Sequence, residues 1–190
     1  MIATPKEFKA FFDSYKRKKI DDPALTRAGV LMPFFEKERQ MHVLLTKRTD
    51  AVEHHKGQIS FPGGAVDSKD TDIIATALRE AEEEIGLPKE SIEVLGLFDD
   101  FWTPTGFIIT PVVGYVPSLP ILTVNSEEVA TILEVPVSLF LDKTKERTGQ
   151  REREGKKFDL YFYDYGPHEI WGATAAILRS FLHEVSREAR

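Results

Sequence analysis

Apolar residues recur along this chain in two periods, and the switches between them mark its elements. From Pro5 to Lys19, Phe8, Phe11, Phe12 and Tyr15 fall on one face at helical spacing. The basic run Lys16-Arg17-Lys18-Lys19 suits a helix C-terminus, so an amphipathic helix is predicted over residues 1–20, broken by Asp21-Asp22-Pro23. Arg27 to Phe35 and Met41 to Lys47 read as two strands joined by the charged turn Glu36-Lys37-Glu38-Arg39, and Ile92 to Phe98 as a third. Phe107 to Val116 is the most strand-like run, and Pro111 inside it points to an edge or a bulge. After the connection 117–125, Ser126-Glu127-Glu128 is expected to open a short helix capped by Asn125 or Ser126, with Val135 to Leu141 following a turn. Thr144 to Lys157 reads as a charged, mobile surface hairpin. Phe158, Leu160 and Phe162 then alternate against Asp159, Tyr161 and Tyr163 as in a strand. A terminal helix over 173–188 turns Ile177, Leu178, Phe181, Leu182 and Val185 inward. Short strands alternating with helices suit an α/β/α sandwich, and without an internal repeat or linker the 190 residues read as a single domain.

The stretch 57–87 carries the chemistry. Phe61-Pro62-Gly63-Gly64 makes a turn, a polar loop with Asp67 and Asp70 follows, and a helix begins with Ile74, Leu78, Ala81 and Ile85 on one stripe. Glu80 and Glu84 lie one turn apart with Glu83 beside them, roughly a quarter turn or more from that stripe, so all three are expected to face outward. Three carboxylates on one arc repel each other unless a hard divalent cation such as Mg²⁺ lies between them. The glycine pair lets backbone approach a ligand closely, and Gly86 stands where a helix-ending glycine belongs.

This segment resembles the Nudix box, G-x5-E-x7-R-E-U-x-E-E-x-G-U with U a bulky apolar residue. The second half matches as Arg79-Glu80-Ala81-Glu82-Glu83-Glu84-Ile85-Gly86-Leu87. The first half departs from it: the early acid is Asp70, eight residues rather than seven precede Arg79, and Asp70 is accordingly given no firm role. The resemblance implies an α/β fold, the Nudix α/β/α sandwich with a mixed sheet, and a hydrolase dependent on Mg²⁺ or Mn²⁺. It implies Glu80, Glu83, Glu84 and the Gly63 carbonyl as metal ligands, with Arg79 orienting Glu83. For the general base it points to a helix glutamate or a later acid; Glu128 is the first choice, with Asp99, Asp100 and Glu127 as alternatives. A narrower resemblance, to coenzyme A pyrophosphatases of that family, rests on Leu44-Leu45-Thr46-Lys47-Arg48-Thr49, Gly57 and Phe61-Pro62-Gly63-Gly64, although Glu53 stands where an arginine is usual. Such a substrate carries a diphosphate, a ribose 3′-phosphate, an adenine and a pantetheine arm. Arg48, Lys47 and Lys56 are the expected cations for the 3′-phosphate. Phe61 and Gly64 are expected beside the substrate, with Phe101 or Trp102 against the adenine, the arm or the core.

Composition narrows the rest. A formal net charge of −6 argues against a general nucleic-acid binder, and the absence of cysteine removes thiolate zinc sites, disulfides and cysteine nucleophiles. The adjacent His54 and His55 have no third ligand at useful spacing, which disfavours zinc. No long apolar segment opens the chain, so a cytoplasmic protein without a membrane anchor, monomeric or homodimeric and acting on a small nucleotide, is expected. Two alternatives stay open: a pyrophosphatase for another nucleoside diphosphate derivative such as ADP-ribose, and a non-catalytic nucleotide-binding module.

Overall fold

The computed structural model describes residues 4–50, 56–153 and 156–188. In chain order the elements are α1 (Pro5–Ser14), β1 (Thr26–Lys37), β2 (Gln40–Arg48), β3 (Ile59–Ser60), β4 (Gly63–Ala65), α2 (Ile73–Ile85), β5 (Glu93–Leu97) and β6 (Phe101–Trp102). They continue as β7 (Phe107–Tyr115), β8 (Val129–Pro136), α3 (Ser138–Leu141), β9 (Glu146–Arg153), β10 (Lys156–Tyr165), β11 (His168–Trp171) and α4 (Gly172–Glu188).

β1 is the axis of a mixed sheet. It runs parallel to β7 and antiparallel to β2 and β4, while β2 carries β3 and β8, and β7 carries β5 and β6. β1 is buried on both faces, as its near-continuous apolar run requires. Met32 and Phe34 pack with Phe8 and Phe11 of α1 and Phe181 of α4, whereas Leu31 and Phe35 pack with Ala77, Ala81 and Ile85 of α2. Two helices therefore cover one face and one helix the other, the expected α/β/α sandwich. A second, three-stranded antiparallel sheet, β9-β10-β11, leads into α4. The inward residues expected of α4 are all buried.

Several elements differ from the sequence reading, each for a physical reason. Helix α1 stops at Ser14. Beyond it the chain is extended because Asp99 accepts from Lys18 N (2.7 Å) and Asp100 from Ile20 N (2.9 Å), with Arg17 ion-paired to the buried Asp100. Pro111 lies on an interior strand, not an edge. Its carbonyl accepts from Phe98 N, so its missing donor faces the gap between β5 and β6 where no ladder partner is needed. Residues 126–128 form one turn, closed by Glu128 N and Val129 N donating to Asn125 O, and β8 replaces the expected helix because its apolar side chains pair along β2. The charged stretch 144–157 does form a hairpin, as expected; most of it is strand β9, in register with β10 from Glu146–Tyr163 to Arg153–Lys156. Glu53, His54 and His55 lie outside the described residues.

Candidate active site

The turn before α2 is built from backbone contact. β4 pairs with β1 so closely that a side chain at Gly63 would meet Gly29 O and Val30 Cα at 2.6 Å. At Gly64 a Cβ would fall 2.5–2.7 Å from the carboxylate of Glu80, so that carboxylate rests directly on the glycine. Asp72 caps α2 through Ala75 N (2.8 Å), and Gly86 ends it in the left-handed conformation.

The three helix acids do not share one environment. Glu83 is exposed, with 59% of its side chain accessible, and Glu80 is partly buried. Glu84, expected to face outward, is only 2% exposed: Arg48, Gly63, Glu80 and Glu128 surround its carboxylate, and Asn125 N donates to its backbone carbonyl. One buried oxygen of Glu84, Oε2, has no hydrogen-bond partner, and the other faces the Arg48 guanidinium at 3.7 Å. Burial pushes the Glu84 carboxyl up to about 8, with Arg48 opposing the shift and Glu80 and Glu128 adding to it. Glu80 is raised too, again chiefly by burial.

Arg79 organises the group. Its Nε and Nη2 donate to the two oxygens of Asp70 at 2.9 and 3.0 Å, and its Nη1 to Glu80 at 2.8 Å and Glu83 at 3.0 Å. Asp70, which the shifted spacing left without a firm role, is thus the bidentate partner of Arg79, and that contact holds its carboxyl well below the usual range. The longer loop still delivers it, because Asp70 N bonds to Asp67 O and the Asp70 carboxylate takes Asp67 N. With Glu80 and Glu83 turned to the guanidinium, no three acids or histidines among the described residues gather around one point. The donor set nevertheless fits a hard divalent cation: the orphaned Glu84 oxygen, the Glu80 carboxylate and the side-chain-free backbone at Gly63-Gly64 adjoin one another.

The Gly63-Gly64 turn, on which the Glu80 carboxylate rests, and Arg48, which faces Glu84, line a cleft of about 1080 Å³ between the main sheet, the β9–β11 sheet and the start of α4; Arg79, Glu80, Glu83 and Glu84 adjoin it without lining it. Of the expected site residues, Arg48, Phe61, Gly63, Gly64, Phe101, Trp102 and Glu128 line it. Glu128 is placed by the β2–β8 pairing: Thr49 N bonds to Glu128 O, the register shifts at Lys47/Arg48, and Asn125 Nδ2 reaches Glu128 Oε1 at 3.4 Å. Lys47 and Lys56, expected as substrate cations, do not line the cleft. Asp99 and Asp100 also stand elsewhere, spent on anchoring residues 17–20, and Glu127 is exposed with its carbonyl tied to Thr49 Oγ1. The opposite wall holds Arg151, Phe158, Tyr161 and Trp171. The period-2 alternation over 158–163 marks Phe158 and Tyr161 as strand residues, and Arg151 is the one of the four that no sequence signal singles out.

Known proteins are similar to this chain in sequence and in fold. Residues 25–153 match the model of the NUDIX domain. A Photorhabdus laumondii protein described as "Uncharacterized Nudix hydrolase NudL" is 42% identical over 158 residues, covering 83% of this chain and 84% of the relative. Its namesake from Enterobacter sp. is 39% identical over 171 residues, 89% of this chain and 88% of its own. Among solved structures, the M. smegmatis Nudix hydrolase RenU is similar in fold at a TM-score of 0.59 and 20% identity, covering 87% of this chain and 88% of its own. A MutT/nudix family protein from Enterococcus faecalis gives a TM-score of 0.57 at 16% identity over 98% of this chain and 76% of its own. Hydrolases of this kind use divalent cations and act on small nucleotide substrates. No helix among the described residues is long and apolar enough to cross a membrane. The chain belongs to the Nudix hydrolase family, and it is a pyrophosphatase-type hydrolase.

Proposed function

We propose that this enzyme hydrolyses the diphosphate of coenzyme A or its derivatives, releasing adenosine 3′,5′-bisphosphate and 4′-phosphopantetheine or its acyl form, with Mg²⁺ or Mn²⁺ in the cytoplasm. The observation that carries this reading is the cleft: at about 1080 Å³ it exceeds the usual range for small-ligand sites, roughly 300–1,000 Å³, and its lining joins Arg48, Glu128 and the Gly63-Gly64 turn, on which the Glu80 carboxylate rests, to a group of aromatic residues. A substrate with a diphosphate at one end and a long, partly apolar arm uses both regions. The upstream residues Leu44 to Arg48 and Phe61 to Gly64 support the same class.

In this reading Glu80, Glu84 and the Gly63 carbonyl hold the cation, with Glu83 as a further ligand or a water-bridged partner. When bound there, a divalent cation would supply charge neutralisation for the diphosphate and acidity for the attacking water. Arg79, gripped by Asp70, keeps Glu80 and Glu83 in place. Glu128 takes the proton of the attacking water as general base, its carboxylate kept beside the site by Asn125. Arg48 partners Glu84 at the diphosphate end, and Trp102 offers a ring to the substrate. The test is to incubate the purified protein and Mg²⁺ or Mn²⁺ with coenzyme A, ADP-ribose, NADH and nucleoside triphosphates and to identify the products. Phosphopantetheine and adenosine 3′,5′-bisphosphate are expected; faster turnover of ADP-ribose would move the enzyme to another substrate class.

A further inference from the structure

Two cations are described in the cleft lining, and their surroundings differ. The Arg48 guanidinium lies 3.7 Å from Glu84, whose side chain is almost wholly buried. That contact keeps Arg48 beside the helix acids, where the hydrolysed diphosphate is placed in this reading. Arg151, at the opposite wall, has no ion pair or hydrogen bond holding its side chain among the described residues. It is exposed and lines the cleft.

The local structure supplies Arg151 with a flat neighbour. In the β9–β10 ladder Arg151 stands directly opposite Phe158, and side chains in such cross-strand positions lie side by side. The Phe158 ring stacks on Trp102, at 5.5 Å between centroids and 27° between planes. The hairpin is anchored below this point: Arg147 bonds to Asp164 and Glu169, and Glu146 accepts from Arg179 and Tyr163. Asp159 also lines the cleft, but its carboxylate accepts from Gln150 Nε2 at 3.0 Å. An anchored strand thus presents a guanidinium next to an aromatic pair, the combination that suits a phosphate carried on a purine nucleoside.

We propose that Arg151, not Arg48, reads a phosphate on the substrate's nucleoside beyond the hydrolysed diphosphate, with the Trp102–Phe158 pair packing against the adjoining base. The assignment rests on the coenzyme A-type reading above, and the test separates the two. Binding of adenosine 3′,5′-bisphosphate and of adenosine 5′-monophosphate is measured by calorimetry, without metal, on the wild type, Arg151→Gln and Arg151→Lys. The wild type should prefer the bisphosphate at least about tenfold, as a charge-assisted contact allows. Arg151→Gln should abolish that preference while holding the monophosphate within about twofold, and Arg151→Lys should restore part of it. No preference in the wild type, no binding of the bisphosphate, an unchanged preference in Arg151→Gln, or an equal loss for both ligands overturns the assignment. Hydrolysis decides the other question. A wild type that shows the Arg151-dependent preference but leaves coenzyme A intact keeps this residue's role and loses the coenzyme A reading. Turnover of coenzyme A with an unaltered preference in Arg151→Gln does the reverse.

Discussion

The two ends of the cleft are held by different means. At the acidic end the fit is made by main chain: Gly63 lies against the backbone of β1, Gly64 lies under the Glu80 carboxylate, and Asn125 N donates to the backbone carbonyl of Glu84. At the far end side chains make the fit, through the Trp102–Phe158 and Phe162–Trp171 stacks and surface ion pairs of Arg147. Main-chain contacts leave little room for substitution, whereas stacked side chains exchange at modest cost. The first arrangement suits a reaction that must keep its geometry, and the second suits recognition that can be retuned.

The sharpest way to break this comparison is at the acidic end. Glu128→Gln is expected to lower kcat about 10²–10⁴-fold, the range for losing a general base, and a smaller effect removes Glu128 from that role. Glu84→Gln should fall in the same range, and full metal-dependent turnover in that variant would sink the assignment of Glu84 as a ligand. Stability gives an independent measure. Because the folded-state value of Glu84 is near 8 against an ordinary 4.5, the native protein holds a proton that the unfolded chain releases between those values. Stability of the metal-free protein from this group is therefore full below about pH 4.5 and declines as pH rises to about 8, by on the order of a few kcal/mol. Denaturant melts of the wild type and Glu84→Gln at pH 5 and pH 8 should show that slope in the wild type alone. Addition of Mg²⁺ at pH 8 should recover much of the loss.

Smaller effects sharpen the contrast. Asp70→Asn leaves Arg79 without a charged bidentate partner and is expected to reduce turnover about 10–100-fold, the usual consequence of losing a group that orients metal ligands. An unchanged rate would mean that Glu80 and Glu83 alone position the guanidinium. At the other end, Phe158→Ala removes one stacked ring worth about 0.5–1.5 kcal/mol, so KM should rise between roughly two- and twelvefold with kcat nearly constant. A large fall in kcat from that change would show that the second sheet takes part in the chemistry, and the distinction between the two ends would fail.

The same division explains what could be read from the chain in advance. Glu80, Glu84, Arg79 and the apolar stripe of α2 are neighbours along one helix, so spacing alone places them together. The inner face of α4 was legible for the same reason. Burial of Glu84 was not, because Arg48, Gly63 and Glu128, which surround its carboxylate, come from other parts of the chain. The grip of Asp70 on Arg79 was obscured by a loop whose extra residue is taken up in the Asp67–Asp70 turn. Pro111 misled because its missing donor is matched by a gap in the neighbouring strand, which no local pattern announces. Arg151 lies among Arg147, Arg153, Lys156 and Lys157, and in sequence nothing separates the cation that lines the cleft from the others.

The chain has two tryptophans, and both line the cleft: Trp102 lies against Phe158, and Trp171 against Phe162. None of its indole rings is therefore buried in the sandwich core. Intrinsic emission of the native protein reports on the cleft itself, so a ligand that displaces water from this wall should shift the emission maximum without any attached dye. Replacing Trp102 with Phe leaves Trp171 as a single emitter at the α4 side of the wall, and the difference between the two spectra locates where along the cleft a bound nucleotide rests.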